Sequence, residues 1–195
     1  MTKPGLALSF GYDDGSLRAL ANVKAELRDI YALPDIDLND FSVLFVSMHS
    51  DQRFLAARAG QIEECRGGVV VANGHHAYPY LPRMAGFHTI DNYKLSDITV
   101  LRLAAHPIWH GIDPHDLTFR RGVSGFYGRV WHDAPPDALI IHALGQPNLP
   151  LDFIYPVGRG HVLFHGGNDL WTFGSEDKQL APRIMQWVTE GRNVQ

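Results

Sequence analysis

The apolar positions of this chain fall into two kinds of run. Ser42–Met48 (SVLFVSM), Val69–Asn73 (VVVAN) and Ala138–Leu144 (ALIIHAL) are nearly continuous and of strand length, the pattern of strands covered on both faces. Gly5–Tyr12 reads as a first strand and Asp97–Ala104 as a later one. Phe153–Val157 and His161–His165 flank Gly158-Arg159-Gly160 and read as a hairpin. The other runs keep helical spacing. Leu17, Leu20, Ala21, Val23, Leu27 and Ile30 predict a helix from the Tyr12–Ser16 turn to about Tyr31. Ser50 or Asp51 can cap a helix to about Cys65, which Arg66-Gly67-Gly68 would stop. Glu176–Glu190 closes the chain as an amphipathic helix with Leu180, Ile184, Trp187 and Val188 inward, and its Pro182 sits close enough to the start to be tolerated. Ala32–Asp40 and Ala77–Asn92 read as connections, His106–Gly111 as a single turn, and Leu117–His132 as loop plus strand.

Strands alternating with helical patterns predict an α/β fold, a flavodoxin-like three-layer sandwich. Its sheet would be mainly parallel, with an antiparallel C-terminal hairpin. No linker or internal repeat divides the 195 residues, so residues 1–195 are expected to form a single domain. Ligands of such sheets bind beyond the C-terminal ends of the strands. Tyr12–Ser16, His49–Arg53, Asn73–His76, His106–His110 and His165–Asp169 should therefore converge. The chain holds eleven histidines, and His49, His75, His76, His106 and His165 each follow a predicted strand. Imidazoles titrate near neutral pH and suit proton transfer. The catalytic candidates are thus His165 as general base, His75 or His49 assisting, and Asp169 orienting. Tyr12, Asp13, Ser50, Asp51, Gly74, His76, Asn168 and Trp171 complete the set as ligand contacts. Aromatic faces beside Asn, Asp and His suit a sugar-like or other small polar ligand.

Composition narrows the partners. A formal charge of −4 argues against nucleic acid or an anionic membrane. No run approaches the ~20 apolar residues of a membrane helix, and the N-terminus lacks a signal peptide's long apolar core. The single cysteine, Cys65, excludes an intrachain disulfide framework and fits a reducing compartment. Cytoplasm is the expected location and a small molecule the expected partner, with a homodimer through the aromatic Leu117–Trp131 segment left open. GxSxG and GxxxxGK[ST] are absent. His106 and His110 stand four apart, but Pro107 intervenes and HExxH is missing. Adjacent His75 and His76 would diverge on an extended chain. No cofactor or metal is assigned on these grounds.

Three stretches carry a resemblance. They are His106-Pro107-Ile108 followed by Gly111, Gly158-Arg159-Gly160-His161-Val162 leading into a strand, and Arg66-Gly67-Gly68-Val69-Val70-Val71. Together they resemble the class I glutamine amidotransferase-like superfamily, most closely its trehalose-utilisation (ThuA-like) branch. The resemblance implies a nucleophile elbow after the central strand and a histidine after a late strand. His165 matches that histidine. The elbow position, Asn73-Gly74-His75-His76, holds no cysteine, and Gly167 stands where the family has glutamate. Cysteine-dependent glutamine hydrolysis is therefore not expected. The leading expectation is a small-molecule-processing protein, as an enzyme either a hydrolase acting on a sugar-like or amide ligand or an isomerase-like catalyst. A non-catalytic small-molecule-binding or regulatory module and a metal-dependent hydrolase are the alternatives.

Overall fold

The computed structural model describes residues 4–9, 19–63, 69–73, 77–119, 130–145, 149–173 and 179–190. Its sheet is built on the apolar runs. β1 (Gly5–Ser9), β3 (Val43–Val46) and β4 (Val69–Asn73) lie side by side and parallel, with β2 (Glu26–Asp29) parallel outside β1. β10 (Gly160–His165) joins β4 in parallel and continues the sheet. Beyond it β9 (Pro150–Val157), β8 (Leu139–Leu144) and β6 (Val100–Arg102) add antiparallel. The order is β2-β1-β3-β4-β10-β9-β8-β6, a mixed α/β sheet with a parallel and an antiparallel half. β5 (Phe87–Thr89) and β7 (Val130–His132) form a separate antiparallel pair, so the expected Ala77–Asn92 loop contains a short strand.

Alternation along each strand sends side chains to opposite faces. Leu6, Leu8, Leu44, Val46, Val162 and Phe164 enter one apolar cluster; Ala7, Val43, Phe45 and Leu163 enter the other. The first cluster takes Leu55 from α1 (Gln52–Ala56) and Ile62 from α2 (Ala59–Glu63). The second takes Leu180, Ile184, Trp187 and Val188 from α4 (Leu180–Glu190), the inward face expected of the closing helix. The hairpin of β9 and β10 also stands where the sequence places it, turning at Gly158, whose φ of +58° favours glycine.

Three expectations are corrected. The helix predicted to Tyr31 ends near residue 21. Lys24 adopts φ +59°, the Lys24 N–H donates to Ala21 O at 3.0 Å and the Ala25 N–H to Leu20 O at 3.1 Å. This is a Schellman closure, with lysine in the position glycine usually takes. Residues 26–29 then form an edge strand, and Leu27, assigned to the helix by its spacing, is 45% exposed. The helix expected to run to Cys65 is two short ones separated at 57–58, and Cys65 lies outside the described residues. Finally, a helix, α3 (Pro114–Phe119), runs into the Leu117–His132 segment, expected to start as loop. No described helix is long and apolar enough to cross a membrane.

Candidate functional site

His165 is the last residue of β10, and strand register sets what surrounds it. It pairs with Asp152 of β9 on one side and Asn73 of β4 on the other. Asp152 in turn stands opposite His142 of β8, and His142 opposite Arg102 of β6. A polar row thus crosses the sheet at one level: Arg102, His142, Asp152 and His165. Irregular register in β8 around His142 accompanies its place in the row.

His142, Asp152 and His165 are all fully buried. The Asp152 carboxylate is shared, with Oδ1 2.5 Å from His165 Nδ1 and Oδ2 2.8 Å from His142 Nδ1. Arg102 Nε donates to His142 Nε2 at 3.2 Å. A guanidinium can only donate, so Nε2 is the acceptor and the proton of His142 sits on Nδ1, directed at Asp152. Burial by itself would push the Asp152 carboxyl up. The His165 and His142 imidazoles outweigh it and hold the group well below the usual carboxylate range. It therefore stays ionised and fixes His165 with Nδ1 toward the carboxylate. A buried carboxylate on Nδ1 is also what orients the histidine in Asp–His catalytic pairs.

Strand-end reasoning assigns the orienting role to Asp169, and the structure places that residue differently. Asp169 is 3% exposed and ties the loop after β10 to the loop after β3. Its Oδ2 accepts from Ser47 Oγ and its Oδ1 from the Met48 N–H, each at 2.7 Å. Burial, then the nearby Asp169 carboxylate, push the Tyr80 phenol well up. His49 is exposed, and its N–H donates to Ser47 Oγ at 3.2 Å. The Ser50 hydroxyl is buried with no hydrogen-bond partner among the described residues. Asp51 caps α1 through the Phe54 N–H (3.0 Å) and accepts from Tyr31 Oη (3.1 Å), so both carboxylate oxygens are engaged in structure. Asn168 is half-buried in the loop after β10. Trp171 is 1% exposed and packs edge-on against Phe45, within the core. Tyr12, Asp13, Gly74, His75 and His76 lie outside the described residues.

The loops after β3 and β10 do meet, since both strands run the same way and Asp169 joins their ends. His106–His110 does not belong with them. β6 is antiparallel to β8, β8 to β9 and β9 to β10, so the chain leaves β6 away from the C-terminal end of β10. His106 instead caps a short turn, its Nδ1 accepting from the Ile108 N–H at 3.3 Å, and burial pulls its pKa down to about 4. Among the described residues no group of three or more His, Cys, Asp and Glu could hold a metal ion.

Reasoning from strand ends misses Asp152 and His142, yet the sequence carries a signal for both. Each interrupts an apolar strand, PLDFIYPV and LIIHAL. Burying a carboxylate is costly unless it is paired, so an acid inside one such strand calls for a basic partner in another.

No protein-family model matches the sequence, and no curated protein matches it. Solved structures do resemble the fold. The cytoplasmic protein STM3548 from Salmonella typhimurium superposes with a TM-score of 0.62 at 13% identity, over 94% of this chain and 98% of that one. The cytoplasmic protein STM1381 from Salmonella typhimurium LT2 gives 0.50 at 10% identity, over 94% of each chain. A cold-adapted β-galactosidase from Rahnella sp. R3 gives 0.48 at 11% identity, with the match spanning 97% of this chain and 31% of the enzyme. At these identities the first two likenesses establish a shared mixed α/β fold.

Proposed function

We propose that this chain is a cytoplasmic hydrolase of small polar molecules, sugar-like or amide, with His165 as general base and Asp152 as the carboxylate that orients it. The observation that carries the reading is the buried Asp152–His165 pair at the end of β10, in register beside Asn73, where the chain enters the elbow position Asn73-Gly74-His75-His76. With no cysteine at that elbow, the nucleophile is water. Its proton passes to Nε2 of His165 as its oxygen attacks the electrophilic carbon, and the leaving group then takes that proton. Asp152, held ionised, stabilises the imidazolium formed in between.

The finer fold reading belongs to the same proposal. The order β2-β1-β3-β4-β10 follows the flavodoxin-like 2-1-3-4-5 arrangement, and helical residues enter the apolar clusters on both faces. Both features support a flavodoxin-like three-layer member of the amidotransferase-like group, close to its ThuA-like branch. The two Salmonella proteins described as cytoplasmic support the location.

A panel of chromogenic glycosides, esters and amides, assayed with wild type and His165→Gln, tests the reading. The expected result is turnover of at least one class, reduced on the order of 10²–10⁴-fold in the variant, the usual worth of a positioned base. Full turnover in a folded His165→Gln protein would overturn it. A ligand that binds wild type and is recovered unchanged would favour the binding module instead.

A further inference from the structure

The far end of the polar row opens on a cleft that the hydrolase reading does not use. About 470 Å³ in volume, it is lined by Arg102, Ala105, His106, Pro107, Trp109, His110 and Gly111. This is the size range of small-molecule sites. It lies away from His165 by about three strand spacings, roughly 14 Å.

Arg102 is built into this cleft. Its Nε donates to His142 and its Nη2 to Ile112 O at 2.6 Å, and these two bonds hold the guanidinium plane. They use one edge of the fork. The other edge, Nη1 with the second hydrogen of Nη2, has no partner among the described residues, and Arg102 is in no ion pair there. That edge presents two parallel N–H groups at the spacing of a carboxylate's oxygens. A second guanidinium braces the cleft wall from behind. Arg183 Nη1 donates to His110 O at 2.6 Å and to Ile108 O at 3.3 Å, so both arginines hold the same turn by its carbonyls.

The other walls are apolar or donating. Trp109 is 1% exposed and His106 6% exposed, and their rings meet edge to face at 5.5 Å. His106 accepts at Nδ1, so its remaining proton is on Nε2. Neither that N–H nor the Trp109 indole N–H has a partner among the described residues. Within the 107–111 turn the lining side chains supply no carboxylate at all.

We propose that this cleft is a second ligand site, and that it takes a small organic carboxylate with an aromatic or aliphatic body. The carboxylate pairs end-on with the Arg102 fork, and the body rests against Trp109 and Pro107. The site does not depend on the hydrolase reading. It communicates with it, because the same guanidinium holds His142, and His142 holds Asp152.

Benzoate is the probe. It is titrated into the full chain at pH 7 and low salt, following the Arg102 Nε–H and Gly111 amide signals by ¹⁵N NMR. Saturable shifts are expected in wild type. Their Kd should rise roughly tenfold or more in Arg102→Gln, where the charge-assisted pair is gone. Ala105→Glu, at an exposed position of the cleft wall, places a competing carboxylate there without touching the polar row, and should weaken binding similarly. Absence of saturation in wild type, or an unchanged Kd in Ala105→Glu, would overturn the site. Inorganic phosphate binding as tightly as benzoate would overturn the carboxylate assignment. Ala105→Glu carries the test should Arg102→Gln fail to fold.

Discussion

Replacing Asp152 by asparagine should do more than remove a charge. Arg102 pins the acceptor nitrogen of His142, so His142 must keep its proton on Nδ1. The amide oxygen of the new side chain would then accept from His142, and its NH₂ group would face His165. His165 can meet an incoming donor only by surrendering its Nδ1 proton, which moves to Nε2, the nitrogen proposed as the base. Two charge-assisted bonds worth roughly 1.5–3 kcal/mol each become one neutral bond of about 1 kcal/mol and one weaker N–H···N contact. Relief of the desolvation cost of a buried charge offsets part of that loss. In wild type the pairing outweighs burial, because the Asp152 carboxyl is held low despite being fully buried. The net destabilisation at pH 7 is therefore placed at about 2–3 kcal/mol. Its pH dependence has a definite sign. A depressed carboxylate contributes its full stability above the unfolded value, about 3.9, and loses it as pH falls through the folded value. Urea unfolding of both proteins should give a gap that narrows as pH falls below about 4. Long-range ¹H–¹⁵N spectra at pH 8 should show His165 protonated on Nε2 in the variant. A gap under about 0.5 kcal/mol at pH 7, too small for two such bonds, would refute the reasoning. So would a gap that persists undiminished into acid, or a His165 that keeps its Nδ1 proton.

Three further outcomes are expected. Gly145→Ala combines a φ of +51° with a Cβ that would overlap Ser96 O and sit 2.7 Å from the Asp97 backbone, so backbone must shift. A loss above about 3 kcal/mol is expected in urea unfolding, and a loss under about 1 kcal/mol would show that the Ser96–Asp97 turn yields freely. Asp169→Ala removes the acceptor of the Ser47 hydroxyl and the Met48 N–H, and should cost about 2–4 kcal/mol while raising hydrogen exchange at Met48 and His49. Unchanged exchange there would show that the two loops do not depend on this link. His106, neutral by burial with a pKa near 4, should show no imidazole titration in ¹³C-resolved spectra between about pH 7 and 5. Because the unfolded chain binds that proton first, its contribution to stability is present above the unfolded value of about 6.5 and is lost as pH falls toward 4. Titration near pH 6.5 would place His106 in contact with solvent.

The parts of the fold readable in the sequence are those where local pattern and tertiary demand coincide. The SVLFVSM and VVVAN runs become β3 and β4, the Gly158-Arg159-Gly160 turn closes the hairpin, and α4 buries its expected face. Residues 26–29 mislead because Leu27 and Ile30 continue a helical spacing by coincidence. Lys24 ends the helix without the glycine that would announce it. In the site, His165 is accessible to reasoning because it ends a strand. Its carboxylate partner is not, because Asp152 lies 13 residues away and meets it only through the pairing of β9 with β10, which spacing alone does not align.

The polar row also bears on how the chain finds its fold. Sliding β9 by one residue against β10 would turn Asp152 toward the opposite face, among Phe153, Tyr155 and Phe164, with neither imidazole in reach. A lone buried carboxylate there would cost several kcal/mol, whereas a slip of wholly apolar strands would exchange one greasy contact for another. The same charge that burial makes expensive in the native arrangement thus makes the neighbouring misalignments more expensive still. Asp152 acts as an alignment key for four strands, and substituting the row with apolar residues of similar size would trade that selectivity for a sheet free to settle in more than one register.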